Sequence, residues 1–146
     1  DVLRGLGRAD CQVLAPVRSH LHQEDLETLP HNIHVTDWIP THQLGDAVDL
    51  AITHGGEGTV QTSCVQGWPF IGIPLQLEQR FNVQRCVAFG SARLVSQKEA
   101  RRADWAALVR EALADDVMRS RARRMAKLMK GLDGPGRAAE AICKLL

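Results

Sequence analysis

The chain has almost no excess of either charge: among its 146 residues, 18 Lys and Arg stand against 17 Asp and Glu. Without a basic surplus there is no long-range field to gather nucleic acid or an acidic membrane, so a small-molecule or protein partner is expected. No apolar run approaches the roughly 18 residues that span a bilayer, and no charged-then-apolar leader is present. A soluble protein without a membrane span is expected. Cys11, Cys64, Cys86 and Cys143 form no C-x-x-C, and three of them lie in apolar stretches. That usage predicts reduced thiols in a cytoplasmic protein. No G-x-G-x-x-G follows a strand with an acidic residue at the right distance, which argues against a dinucleotide-dependent oxidoreductase. His20 and His22 are two apart and His31 and His34 three apart, and none joins a Cys or carboxylate at a zinc spacing. No metal is expected. Repeats, low-complexity tracts and long linkers are missing too, and the length suits one domain with one core.

Short apolar runs bounded by turn residues occur at 11–17, 33–39, 49–53 and 69–74, and read as four strands. Segments between and after them have helical spacing, as in Val83, Cys86, Val87 and Gly90, or Trp105, Leu108, Val109 and Ala112. The alternation predicts an α/β fold, a parallel sheet flanked by helices, with ligands beyond the carboxyl ends of the strands. After about residue 100 the strand signals stop, and helices are predicted over 104–114, 117–131 and 136–146. The basic residues from Arg119 to Lys130 lie beside an apolar stripe that includes Met118, Ala122 and Met125, which reads as a solvated helix face rather than a nucleic-acid patch.

What the chain does have is Thr53-His54-Gly55-Gly56-Glu57-Gly58-Thr59, set between the strand at 49–53 and a helix over 59–66 that stops before Gly67. Glycines at a strand-to-helix corner let a ligand approach the backbone, and the helix start offers unpaired N–H groups and a positive dipole end. Such a corner favours an anion. His54 can point to the same place and bond a phosphate oxygen; for an isolated loop histidine a satisfied structural role is the better reading, but the flanking glycines favour the ligand. Trp38, just before Pro40, reads equally as a base-stacking platform or as a core or rim tryptophan. Glu78 and Gln79, at the start of the helix after the fourth strand, suit sugar hydroxyls or are simple helix-start chemistry.

Together, Trp38-Ile39-Pro40, His54-Gly55-Gly56-Glu57-Gly58-Thr59, Gly67-Trp68-Pro69 and Ile73-Pro74 with Glu78, Gln79 and Asn82 resemble a known pattern. It is that of the C-terminal donor-binding domain of GT-B nucleotide-sugar glycosyltransferases, family 1, of the antibiotic, macrolide and plant secondary-product type. The match runs over roughly residues 33–95. The resemblance implies a Rossmann-like domain and a metal-independent, inverting transfer of a hexose or deoxyhexose from a UDP- or dTDP-sugar to a small-molecule acceptor. It further implies that Trp38 stacks on the pyrimidine and the Ile39 backbone pairs with its edge. By the same resemblance His54, the amides around Gly55, Gly56 and Gly58, and the Thr59 hydroxyl hold the diphosphate; Glu78 and Gln79 bind the sugar, and Asn82 positions a helix.

Two positions depart from the pattern. Thr41 stands where many members have Gln, and Thr62 where plant-type members carry a glutamate that grips both ribose hydroxyls. The second departure favours a deoxyribose nucleotide such as dTDP. Residues 1–146 read as a donor domain alone, with a first strand absent and the acceptor domain, which would carry the general base, absent or supplied by a second subunit. Such a chain is expected to bind nucleotide without transferring sugar. Rival readings are the donor half of a lipid-linked-sugar glycosyltransferase or of a nucleotide-sugar epimerase, or a non-catalytic nucleotide-binding module.

Overall fold

In the computed structural model, residues 2–145 are described; Asp1 and Leu146 lie outside them, Leu146 being the last residue of the helix predicted over 136–146. The order is α1 (Val2–Leu6), β1 (Val13–Ala15), α2 (Gln23–Glu27), β2 (Ile33–Val35), β3 (Ala51–Thr53), α3 (Glu57–Gln66), β4 (Phe70–Gly72), α4 (Leu77–Phe89) and β5 (Ala92–Leu94), followed by α5 (Gln97–Ala100), α6 (Trp105–Leu113), α7 (Asp116–Lys130) and α8 (Gly134–Cys143). Short 3-10 turns occupy Arg18–His20, Thr41–Gln43 and Gly45–Ala47.

All strand pairs are parallel. β1 pairs with β2, and β3-β4-β5 form a second sheet in that order, with Ile71 at the centre of β4 opposite Ile52 and Arg93. The parallel α/β architecture follows the expectation from alternation. The expected strands are longer than the ladders, because Pro16, Trp38-Pro40 and Ile73-Pro74 leave the sheets. A fifth strand, β5, was not expected: its central residue is Arg93, whose charge masks a run of only three residues. Arg93 is accommodated by Glu111 at 3.3 Å and Asp115 at 3.0 Å.

β4 is buried on both faces, as a covered parallel strand must be. The period of two sends Phe70 to one face, with Val60, Val83, Cys86 and Ala92, and Ile71 to the other, with Leu6, Val95, Trp105 and Val109. β3 is only half-buried along its length, and Leu14 of β1 is 46% exposed. Among the described residues β1 pairs only with β2 and β3 only with β4, so each carries one free edge.

α3 ends at Gly67, whose φ of +76° is the left-handed conformation that closes helices with glycine. The C-terminal helices match the expected ones within a few residues. On α7, Met118 and Ala122 turn inward while Arg121, Arg123, Arg124 and Lys127 face solvent; Val117 and Leu128, apolar residues of the same helix, are exposed.

All four cysteines are free thiols. Cys64 on α3 and Cys86 on α4 lie with their sulfurs 3.8 Å apart, and the shared hydrogen bond, then burial, pushes the Cys64 thiol up. Among the described residues no helix is long and apolar enough to cross a membrane.

Candidate functional site

The carboxyl end of β3 runs straight into the glycine turn. Gly55 is buried with φ +87°, and a Cβ there would lie 2.5 Å from Val83 Cγ2 and 2.9 Å from the Gln79 carbonyl oxygen. Glycine is required twice, by the backbone angle and by the approach of α4. At Gly56 the obstacle is different: a Cβ would fall 2.5 Å from His54 Nε2, so the imidazole lies folded over this residue. At Gly58 a Cβ would meet nothing within 4 Å, and the residue is exposed.

Gly56 is the N-cap of α3, and no side chain caps the helix. The first backbone N–H to find a carbonyl is that of Val60, which donates to Gly56 O at 3.0 Å. The N–H groups of residues 57–59 therefore start the helix without an intrahelical carbonyl, and exposed His54 stands beside them. Thr53 and Thr59 brace the turn: Thr53 Oγ1 donates to Thr59 Oγ1 at 2.7 Å, Thr59 Oγ1 donates to Gly56 O at 2.9 Å, and Gly55 N donates to Thr53 Oγ1 at 3.2 Å. The Thr59 proton is thus already engaged with the turn, so a ligand oxygen reaching this hydroxyl would have to take it from Gly56 O.

α4 begins close to the same place, and its N-cap Gln76 also makes no capping bond. Glu78 is exposed, and its carboxylate accepts from Asn82 Nδ2, which also donates to Gly55 O at 3.2 Å. Asn82 therefore ties the carboxylate to the glycine turn, in keeping with its expected positioning role and with a more specific partner than the sequence suggested. Gln79, one residue on, turns the other way: it is 8% exposed and its Oε1 accepts from Leu75 N at 2.9 Å. Its side chain shapes the loop ahead of α4 instead of standing open beside Glu78.

Trp38 is 75% exposed, which disposes of the core alternative. It follows β2, whereas the glycine turn follows β3, so both stand at carboxyl ends of parallel strands. The Ile39 carbonyl already accepts from Thr41 N at 2.9 Å. Thr62, in the middle of α3, donates to Gly58 O at 2.9 Å. Sequence reasoning gave no role to Gln66 or to Trp68, the latter named only within the resemblance, yet their side chains reach the loop after Trp38: Trp68 Nε1 donates to Gly45 O at 2.7 Å and Gln66 Nε2 to His42 O at 2.6 Å. No sequence signal pairs a tryptophan with a carbonyl 23 positions earlier. Among the described residues no group of three or more His, Cys, Asp or Glu side chains converges.

The arrangement can take an anion at the α3 start, a flat ring on Trp38 and a hydroxylated group near Glu78. Comparison with known proteins finds relatives along most of the chain. Oleandomycin glycosyltransferase of Streptomyces antibioticus is 34% identical over 122 residues, which are 81% of this chain and 27% of that protein. NDP-glycosyltransferase YjiC of Bacillus subtilis is 28% identical over 131 residues, 90% of this chain and 33% of that protein. The chain therefore spans about a third or less of these relatives. The crystal structure of the calicheamicin glycosyltransferase CalG4 superposes with a TM-score of 0.82 at 26% identity, over 97% of this chain and 37% of that one. The fold is the C-terminal, Rossmann-like half of GT-B. The family model described as erythromycin biosynthesis protein CIII-like, C-terminal domain, matches residues 1–145, and the chain belongs to that family.

Proposed function

We propose that this chain is the donor-binding domain of a cytoplasmic, metal-independent, inverting glycosyltransferase that moves a hexose or deoxyhexose from a UDP- or dTDP-sugar to a small-molecule acceptor. The observation that carries the reading is the uncapped start of α3 after a glycine turn, with His54 over Gly56. The diphosphate lies against the N–H groups of residues 57–59 and against His54, the pyrimidine on Trp38 and the sugar toward Glu78. Gln79 contributes by holding Leu75 N, and so the loop beside the sugar.

In the reaction the acceptor oxygen forms a bond to the anomeric carbon as the bond from that carbon to the β-phosphate oxygen breaks. The electron pair leaves with the nucleoside diphosphate, and the acceptor proton goes to a base outside this chain. Attack opposite the leaving group inverts the centre. Charge grows on the β-phosphate, so donors aimed there strengthen as the bond breaks and lower the barrier more than they tighten the ground state. The same reading takes the free edges of β1 and β3 as room for one further parallel strand from residues outside 1–146; a longer chain with no strand at either edge would contradict it.

Calorimetry with dTDP, UDP and thymidine tests the reading. The chain should bind the diphosphates and transfer no sugar by itself. His54→Ala removes one bond to a charged group, a loss of roughly 1.5–3 kcal/mol, or about ten- to a hundredfold in affinity. Because His54 is exposed, unfolding free energy should move by less than about 0.5 kcal/mol. Failure of the unaltered chain to bind any nucleotide would instead favour a module without donor function.

A further inference from the structure

We infer that Trp68, assisted by Gln66, is a positioning residue for the nucleotide base, an inference that rests on the donor-site reading above. The connection between β2 and β3 carries Trp38, yet none of residues 38–47 is buried. Its internal bonds are local: Thr41 N to Ile39 O at 2.9 Å, Gln43 N to Pro40 O at 2.8 Å, Leu44 N to Thr41 O at 3.2 Å and Ala47 N to Leu44 O at 3.0 Å. These make two successive 3-10 turns but fasten them to nothing else. Among the described residues, the hydrogen bonds that leave 38–47 for the rest of the chain are the Trp68 bond to Gly45 O and the Gln66 bond to His42 O.

Both anchors come from the far end of α3, whose near end is the glycine turn. Gln66 is the last residue of α3, and Trp68 is fixed immediately after it, with its own N–H donating to Ser63 O at 2.9 Å and β4 beginning at Phe70. Trp68 is 7% exposed, so its indole has few conformations to choose from. The helix that offers N–H groups to the diphosphate therefore also holds the strip of chain that presents the base platform. Base and phosphate subsites are set against one rigid element, so a nucleoside diphosphate meets both without first ordering the loop. An unanchored loop would leave the phosphate subsite intact and weaken only the part of the affinity that comes from the base.

That asymmetry supplies the test. The chain and its variants are titrated with dTDP and with inorganic pyrophosphate, and unfolding midpoints are recorded. Trp68→Phe keeps an aromatic ring and deletes the indole N–H; dTDP should bind roughly three- to tenfold more weakly, the range for one neutral hydrogen bond, with pyrophosphate unchanged within about twofold. Gln66→Ala, a surface change that spares the core if the Trp68 variant folds poorly, should cost dTDP affinity about threefold and again spare pyrophosphate. A general loss of structure would weaken both ligands together. Equal losses for dTDP and pyrophosphate, or no loss for dTDP in either variant, would overturn the inference while leaving the donor site standing. If the unaltered chain binds dTDP no better than pyrophosphate, the base subsite itself is wrong and the inference falls with it.

Discussion

Helix starts in the two halves of this chain are built differently. In the C-terminal half α5, α6, α7 and α8 each open on a side chain that closes them: Ser96 accepts from Glu99 N, Asp104 from Ala107 N, Asp115 from Met118 N and Asp133 from Gly136 N. At the carboxyl edge of the sheet, α3 opens on Gly56 and α4 on Gln76, and neither is capped by a side chain. A cap is worth typically about 1 kcal/mol to a helix. The chain uses that gain at every helix of the C-terminal half and forgoes it at the two that converge on His54 and Glu78, as it does at the short α2, where His22 makes no capping bond. N–H groups left open in this way are satisfied by water or by a ligand, and a negative ligand also meets the dipole.

The largest way to break the contrast is at Gly55. Gly55→Ala puts a methyl group into Val83 Cγ2 and the Gln79 carbonyl at a φ of +87°. The left-handed angle costs roughly 1–2 kcal/mol and the overpacking roughly 1–3. A stability loss of about 2–5 kcal/mol in urea unfolding is expected, with nucleotide binding lost as α4 is pushed from the turn. A variant as stable as the parent would mean that the corner is looser than the contacts with α4 imply.

Much of this contrast is legible in sequence, for reasons that differ from residue to residue. The glycine turn could be read because glycines between an apolar run and a helical one have few other uses. The caps went unread, although Ser96 with Glu99 three residues on, and the aspartates ahead of apolar spacing, carry the signal. Orientation was not legible. Glu78 and Gln79 are adjacent, but the roughly 100° turn per residue sends one to solvent and the other inward. Trp38 and Trp68 each stand beside a proline-containing turn, yet one is exposed and the other tethers a loop, and only tertiary packing separates them.

A sharper test converts an open start into a closed one. Gly56 has φ −61° and ψ 148°, the extended geometry that an N-cap serine adopts. Gly56→Ser supplies the missing acceptor but drives its Cβ toward His54 Nε2, so the ring must swing away. Stability should shift by only a few tenths of a kcal/mol, because glycine is itself an acceptable cap. Affinity for dTDP should fall at least about tenfold, roughly 1.4 kcal/mol, since the serine oxygen competes for the N–H groups and His54 is displaced. Unchanged affinity measured by calorimetry would mean that those N–H groups are not where the nucleotide binds.

The smallest effect is expected at a closed start, and its signature is pH. Bonds from Met118 N, then from Arg93, hold the Asp115 carboxyl below its usual range. Its folded pKa lies below the unfolded value near 3.9, so its contribution to stability is present above about pH 4 and is lost as pH falls through the folded pKa. Asp115→Asn keeps a capping oxygen but gives up the charge facing Arg93 at 3.0 Å. Both side chains are about a third exposed, with relative exposures of 32% and 30%, so solvent weakens the pair. The variant should be less stable by roughly 0.5–1 kcal/mol at pH 7. Chemical unfolding from pH 7 to pH 2 should find parent and variant converging as the parent aspartate protonates, with dTDP affinity at pH 7 unaltered. A difference that persists at the acid end would assign the loss to the cap instead of the charge, and a change in dTDP affinity would show that this end of the molecule communicates with the open helix starts.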